Sequence, residues 1–154
     1  SAKKKSNMEL RKKTDMIVIH CAATKATMDI GYKEIRKWHV EDNGWDDVGY
    51  HYIIRRDGKT EVGRPEGFQG AHAPAVNFRS IGICLVGGMA KDGGPENNFT
   101  LEQFLCLKEL LLKLKRTNPN VVEIVGHCDV QDNKPNCPGF NLKEWLNKED
   151  INVA

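Results

Sequence analysis

The sequence predicts an α/β fold: a central mixed β-sheet flanked by about three helices, with a site in a cleft at one edge of the sheet. Three observations predict it. Short β-branched runs and helical patterns follow one another in the order β-α-β-β-β-α-β-α. Two of the apolar runs, "MIVIH" and "VVEIVGH", end on a histidine. The balance of 40% hydrophobic and 29% charged residues over 154 positions is that of one globular domain with a full core.

The elements can be justified in chain order. The opening "SAKKKSNMELRKK" is expected to be a solvated, mobile arm over residues 1–14, with the domain over 15–154. A weak attraction of that arm to a polyanionic surface is the alternative. Residues 16–20 read as a buried strand closed by the "AATKAT" loop. Residues 32–42 read as a helix, because Ile35, Trp38 and His39 recur at helical spacing before Asn43-Gly44. "VGYHYIIRRDGKTEVGR" reads as a hairpin turning at Asp57-Gly58. Residues 80–86 form a second buried strand, stopped by Gly87-Gly88. Thr100 and Gln103 make a capping box for a helix running to about Arg116. Leu101, Phe104, Leu105, Leu107, Leu111 and Leu114 are its expected buried stripe. "NPN" breaks the helix, "VVEIVGH" follows as a strand, and residues 142–147 read as a last helix.

Composition excludes several classes. A net charge of +2 is too small to argue for nucleic acid. No apolar run approaches the ~18 residues of a membrane span. No apolar segment follows the basic start, so no signal peptide is visible. No separate wall-anchoring domain is expected at this length. Five cysteines, an odd number in a chain of this size, argue against a disulfide framework and for a reducing compartment. A monomer is expected.

Two strands ending on His20 and His127 carry those side chains to one edge of the sheet. Cys137 follows ten residues after His127, in "CDVQDNKPNCPGF". Two imidazoles and a thiolate suit zinc, which takes them tetrahedrally and, with three protein ligands, keeps a position for water. Zinc lowers the pKa of that water toward ~7. Spacing alone leaves hydrogen-bonded structural histidines as an equal alternative.

The segments "IVIHCAAT", "GYHYIIRRDG", "HAPAVNFRSIGICLVGG", "GHCDV" and "KPNCPGFNL" stand in a fixed order. In that order the chain resembles the zinc-dependent N-acetylmuramoyl-L-alanine amidases of the type 2 amidase and peptidoglycan recognition protein superfamily. It is most similar to the single-domain phage lysozyme-type amidases. The resemblance implies a Zn2+ cofactor held by His20, His127 and Cys137, with Tyr50 and Lys134 as catalytic residues. It implies peptidoglycan as substrate, cut between the lactyl group of N-acetylmuramic acid and L-alanine. It places His72 and Asn77 along the substrate groove. It also implies an endolysin made in the host bacterial cytoplasm and acting on the periplasmic wall. One departure stands out: Lys134 lies three residues before Cys137, where the nearest members have it two before.

Other candidates have plainer readings. Cys21 and Cys128 each follow a histidine, so each should face away from its neighbour's metal. Cys84 and Cys106 read as core thiols, and His39 and His51 as packing or hydrogen-bonded residues. A non-catalytic peptidoglycan-binding module, a bacterial wall-recycling amidase and a metal-free hydrolase using Cys137 or Cys21 are the rival functions.

Overall fold

The computed structural model describes residues 8–152. Its strands and α-helices are β1 (Met16–Cys21), β2 (Thr24–Lys25), α1 (Tyr32–Lys37), β3 (Tyr52–Ile54), β4 (Thr60–Val62), β5 (Ser80–Leu85), β6 (Gly88–Met89), α2 (Leu101–Thr117), β7 (Glu123–Gly126) and α3 (Leu142–Lys148). Five strands form one sheet in the order β4-β3-β5-β1-β7. β1 runs parallel to β5 and β7, and β3 parallel to β5; the β3–β4 hairpin is antiparallel. This is the mixed sheet expected from the sequence. β2 and β6 add a parallel two-residue ladder, too short to show in any hydrophobic period.

Alternation along β1 explains the layers. Ile17 and Ile19 pack on Leu107, Leu111 and Leu114 of α2 and on Leu142 and Leu146 of α3. Met16 and Val18 face the other way, onto Ala73 and Val76. His20 belongs to this second row by strand periodicity. Ile35 of α1 packs with Ile53, Cys84 and Val86.

The capping box of α2 forms as expected. Gln103 N–H donates to Thr100 Oγ1 at 3.1 Å, and Thr100 N–H donates to Gln103 Oε1 at 2.9 Å. The buried Gln103 amide also donates to the carbonyls of Ile54 and Val86, tying the helix start to the ends of β3 and β5. The expected stripe needs correction. Its buried members are Gln103, Leu107, Leu110, Leu111 and Leu114. Leu101 and Leu105 are 69% and 53% exposed. At 100° per residue Leu105 lies on the far side of the helix from Leu107 and Leu111.

The helix expected over 32–42 is α1 followed by a π-helical turn, Trp38–Asp42. The hairpin turns where expected, with Gly58 at φ +84° and its N–H donating to Arg55 O at 2.9 Å. Part of the arm expected over residues 1–14, residues 1–7, lies outside the described residues. From Glu9 on, that arm is docked: Arg11 N–H donates to Gly67 O, and Gln69 N–H to Glu9 O, each at 2.7 Å. The Arg11 guanidinium also reaches Phe68 O and Thr14 Oγ1. Among the described residues, no helix is long and apolar enough to cross a membrane.

Candidate active site

β1 and β7 are parallel neighbours, with Ile19 opposite Gly126. Their next residues, His20 and His127, therefore emerge at the same sheet edge, with ring centroids 4.3 Å apart. The loop after β7 folds back, and Cys128 N–H donates to Cys137 O at 2.9 Å. One ligand atom from each of His20, His127 and Cys137 lies within 4.8 Å of the others. His20 and His127 are buried, and Cys137 is half-buried.

Each imidazole has one nitrogen engaged. His20 Nε2 meets His72 Nδ1 at 2.8 Å. His127 Nε2 donates to Gln131 Oε1 at 2.5 Å, since an amide oxygen can only accept. Nδ1 of each ring is left for the shared site. Two imidazole nitrogens and a sulfur converging at this spacing are a donor set that fits zinc.

Electrostatics suit that use. Burial, then the neighbouring His72 and His127, hold His20 well below the usual histidine range. Burial also lowers His127. Both are therefore neutral near pH 7, as a ligand must be. The adjoining Cys21 thiol, together with burial, pushes the Cys137 thiol up. A cation in the cluster would draw that proton off.

Tyr50 stands beside the cluster, its ring centroid 5.1 Å from that of His20. Burial, then the nearby Cys84, pushes its phenol well above the usual tyrosine range, so it stays protonated. Lys134 sits between two successive turns: its N–H donates to Gln131 O at 3.2 Å, and its carbonyl accepts from Cys137 N–H at 3.4 Å. These turns lead the chain from Gln131 into Cys137.

Two cavities flank the cluster. One, of about 350 Å³, is lined by Cys21, Ala22, Met89, Pro95 and Asn136 among others. The other, of about 500 Å³, is lined by His39, Trp45, Pro74, Asn77 and Gln131 among others. Tyr50, His127 and Lys134 line both.

His72 touches the second cavity but is only 6% exposed. Its ring nitrogens are engaged by His20 and by Ser80 Oγ, the latter at 3.2 Å. Asn77 Oδ1 accepts from the N–H groups of His72 and Ala73 at 3.1 and 2.9 Å, so that oxygen holds the loop. Sequence reasoning missed three supporting residues: Gln131, Ser80 and Cys21, whose N–H donates to Cys137 Sγ at 3.2 Å. Gln131, four residues after a candidate ligand, was the one with a visible signal. Cys128, expected as a core or second-face thiol, lies exposed on a 3-10 turn. His39 and His51 make local hydrogen bonds, as expected: Gly49 N–H donates to His39 Nδ1, and Gly82 N–H to His51 Nδ1, both at 2.9 Å.

Residues 10–140 match the family described as N-acetylmuramoyl-L-alanine amidase. The chain belongs to this family. Over 141 residues the amidase is 48% identical to the endolysin of Klebsiella phage KP32, covering 92% of this chain and 91% of that one. It is 45% identical to the endolysin of Escherichia phage T7, with the same coverage. Its fold is similar to that of the solved N-acetylmuramoyl-L-alanine amidase LysC from Clostridium intestinale URNW. That match has a TM-score of 0.79 and 29% identity, and covers 95% of this chain and 91% of that one.

Proposed function

We propose that this amidase is a phage-type endolysin. It hydrolyses the amide between the lactyl group of N-acetylmuramic acid and the L-alanine of the stem peptide, with zinc held by His20, His127 and Cys137. The observation that carries the zinc reading is the convergence of those three ligand atoms within 4.8 Å. The cluster lies between two cavities that share Tyr50, His127 and Lys134. Identity to phage endolysins over nearly the whole chain supports the biological role and peptidoglycan as substrate.

When bound, zinc supplies a Lewis acid for the scissile carbonyl and lowers the pKa of water toward ~7. The chain's own residues do the rest. Tyr50, held protonated by burial, can donate to the departing amine or orient the attacking water. The Lys134 ammonium can stabilise the negative charge that develops on the carbonyl oxygen. The two cavities meet at Tyr50, His127 and Lys134, so a substrate amide held there would lie beside the cluster. Asn77 and the edge of His72 border the cavity beside it.

The rivals fit less well. A binding module has no use for Tyr50 and a third metal ligand, and both are present. A thiol nucleophile needs one histidine as its base, which leaves the convergence of His20, His127 and Cys137 on one point unexplained. The test is metal content together with release of free N-terminal alanine from purified peptidoglycan. One zinc per chain, with activity lost to a chelator and restored by zinc, is expected. Full activity in metal-free protein would overturn the zinc reading. Release of reducing sugar ends without new alanine amines would overturn the bond assignment.

A further inference from the structure

The buried series His20, His72, Ser80 has a proton order that can be read from its far end. Ser80 Oγ lies 2.8 Å from the carbonyl of Val76. A carbonyl has no proton to give, so the serine donates there. That uses the one hydroxyl proton. Ser80 Oγ must therefore accept from His72 Nε2, 3.2 Å away. A neutral His72 protonated on Nε2 keeps a lone pair on Nδ1. His20 Nε2, 2.8 Å from that lone pair, must then carry a proton. This leaves the lone pair of His20 on Nδ1.

From this order we propose that Ser80 and His72 are positioning residues that set the tautomer of His20, so that Nδ1 is the nitrogen offered to the metal. The proposal rests on the reading of His20 as a zinc ligand. Three features hold the series in place. All three side chains are nearly excluded from solvent, at 1%, 6% and 0% exposure for His20, His72 and Ser80. Gly82 lets the His72 ring lie against β5, since a Cβ there would come within 2.6 Å of His72 Cγ. His51, edge-on to His72 at 5.8 Å, offers it no alternative partner. Its Nδ1 accepts from Gly82 N–H at 2.9 Å, and its Nε2 donates to Phe68 O at 2.7 Å.

The consequence is specific. Without the Ser80 hydroxyl, His72 loses the acceptor that keeps its proton on Nε2. A proton on His72 Nδ1 would make His20 Nε2 the acceptor, and would put the His20 proton on the nitrogen that faces the metal. Partners that orient a ligating histidine are typically worth about 10–100-fold in metal affinity.

The experiment has two arms. In metal-free wild-type protein, ring 15N shifts should show His20 protonated on Nε2, and in Ser80→Ala that proton should move wholly or partly to Nδ1. Zinc affinity, measured by competition with a chelator, should fall about 10–100-fold in Ser80→Ala and in His72→Phe. Ser80→Thr, which keeps the hydroxyl, should stay near wild type. His72→Asn, whose amide oxygen can accept from His20, should retain more affinity than His72→Phe. The wild-type tautomer needs no variant to fold: His20 protonated on Nδ1 would overturn the proposal. So would wild-type zinc affinity in both Ser80→Ala and His72→Phe while His20→Ala loses zinc. If His20→Ala also keeps its zinc, it is the ligand reading that fails.

Discussion

Cys21 and Cys137, 116 positions apart in sequence, are joined by a hydrogen bond from the Cys21 N–H to Cys137 Sγ at 3.2 Å. The end of β1 thus supplies one candidate ligand through the His20 side chain and steadies another through the next peptide. A backbone donor to sulfur favours the charged thiolate over the thiol. That backbone donor works against the Cys21 thiol, which pushes the Cys137 thiol up.

Cys137→Ser should weaken zinc, because a hydroxyl is a poorer zinc ligand than a thiolate and does not ionise near neutrality. The loss should exceed the roughly 10–100-fold typical of removing only a supporting partner. Chelator competition reads it directly. Unchanged affinity would remove Cys137 from the ligand set.

Tyr50→Phe deletes a hydroxyl and leaves the ring that packs beside His20. Fold and zinc content should survive, while turnover of peptidoglycan falls by about 10²-fold or more, the usual scale for a positioned acid or base. Wild-type turnover would reduce Tyr50 to a packing aromatic.

Gly82→Ala tests the close approach beneath the site. The new Cβ would lie 2.6–2.8 Å from three atoms of the His72 ring. That ring is held at both nitrogens and cannot retreat freely. Overpacking of this kind costs about 1–3 kcal/mol, which urea unfolding would detect. A variant as stable as wild type would show that the site has slack that the packing does not suggest.

Acid sensitivity should come in part from His51. Burial lowers it to about 4, against ~6.5 in an unfolded chain. Between those values the unfolded state binds a proton that the folded state refuses. The contribution is fully present above pH ~6.5 and is lost as pH falls toward 4, by about 3 kcal/mol at most. Unfolding free energies of wild type and His51→Gln across this window should converge as the pH falls. Parallel curves would show that His51 does not titrate in that range.

Much of this architecture was legible because its signals are local. "MIVIH" and "VVEIVGH" show buried strands by composition, and Thr100 with Gln103 marks a helix start by a pattern spanning four residues. The ligand cluster was half legible. Strand ends pointed to His20 and His127, but only the resemblance separated a metal site from structural histidines. What stayed hidden depends on contacts between distant segments. Ser80 looked like an ordinary strand start until His72 came to rest on it. Cys21, expected to face away from the site, lies beside Cys137 because the loop after β7 folds back over the end of β1. The exposure of Leu101 and Leu105 was legible in principle. Counting leucines puts both in the stripe, whereas their angles at 100° per residue set them off the arc of Leu107, Leu111 and Leu114.

Lys134 is the residue on which sequence and geometry make the sharpest joint claim. Its spacing to Cys137 departs from the family, which by itself would allow the side chain to swing into solvent. The two turns around it instead leave it lining both cavities, at the point they share with Tyr50 and His127. Its charge is felt by both histidines, which it helps to lower. If the ammonium faces the carbonyl oxygen during attack, Lys134→Ala should reduce turnover by about 10²–10³-fold, the scale for one lost oxyanion donor. Zinc content should not change, because lysine is outside the donor set. Lys134→Arg should recover little, since a planar guanidinium does not replace a compact ammonium where the approach is narrow. Raising the salt concentration separates this from a mere surface charge that attracts an anionic wall: screening would weaken long-range attraction in wild type but would not reproduce the full loss. Steady-state hydrolysis of purified peptidoglycan by the two variants decides it. Near-wild-type rates in Lys134→Ala would take the lysine out of the catalytic set and leave the metal assignment untouched.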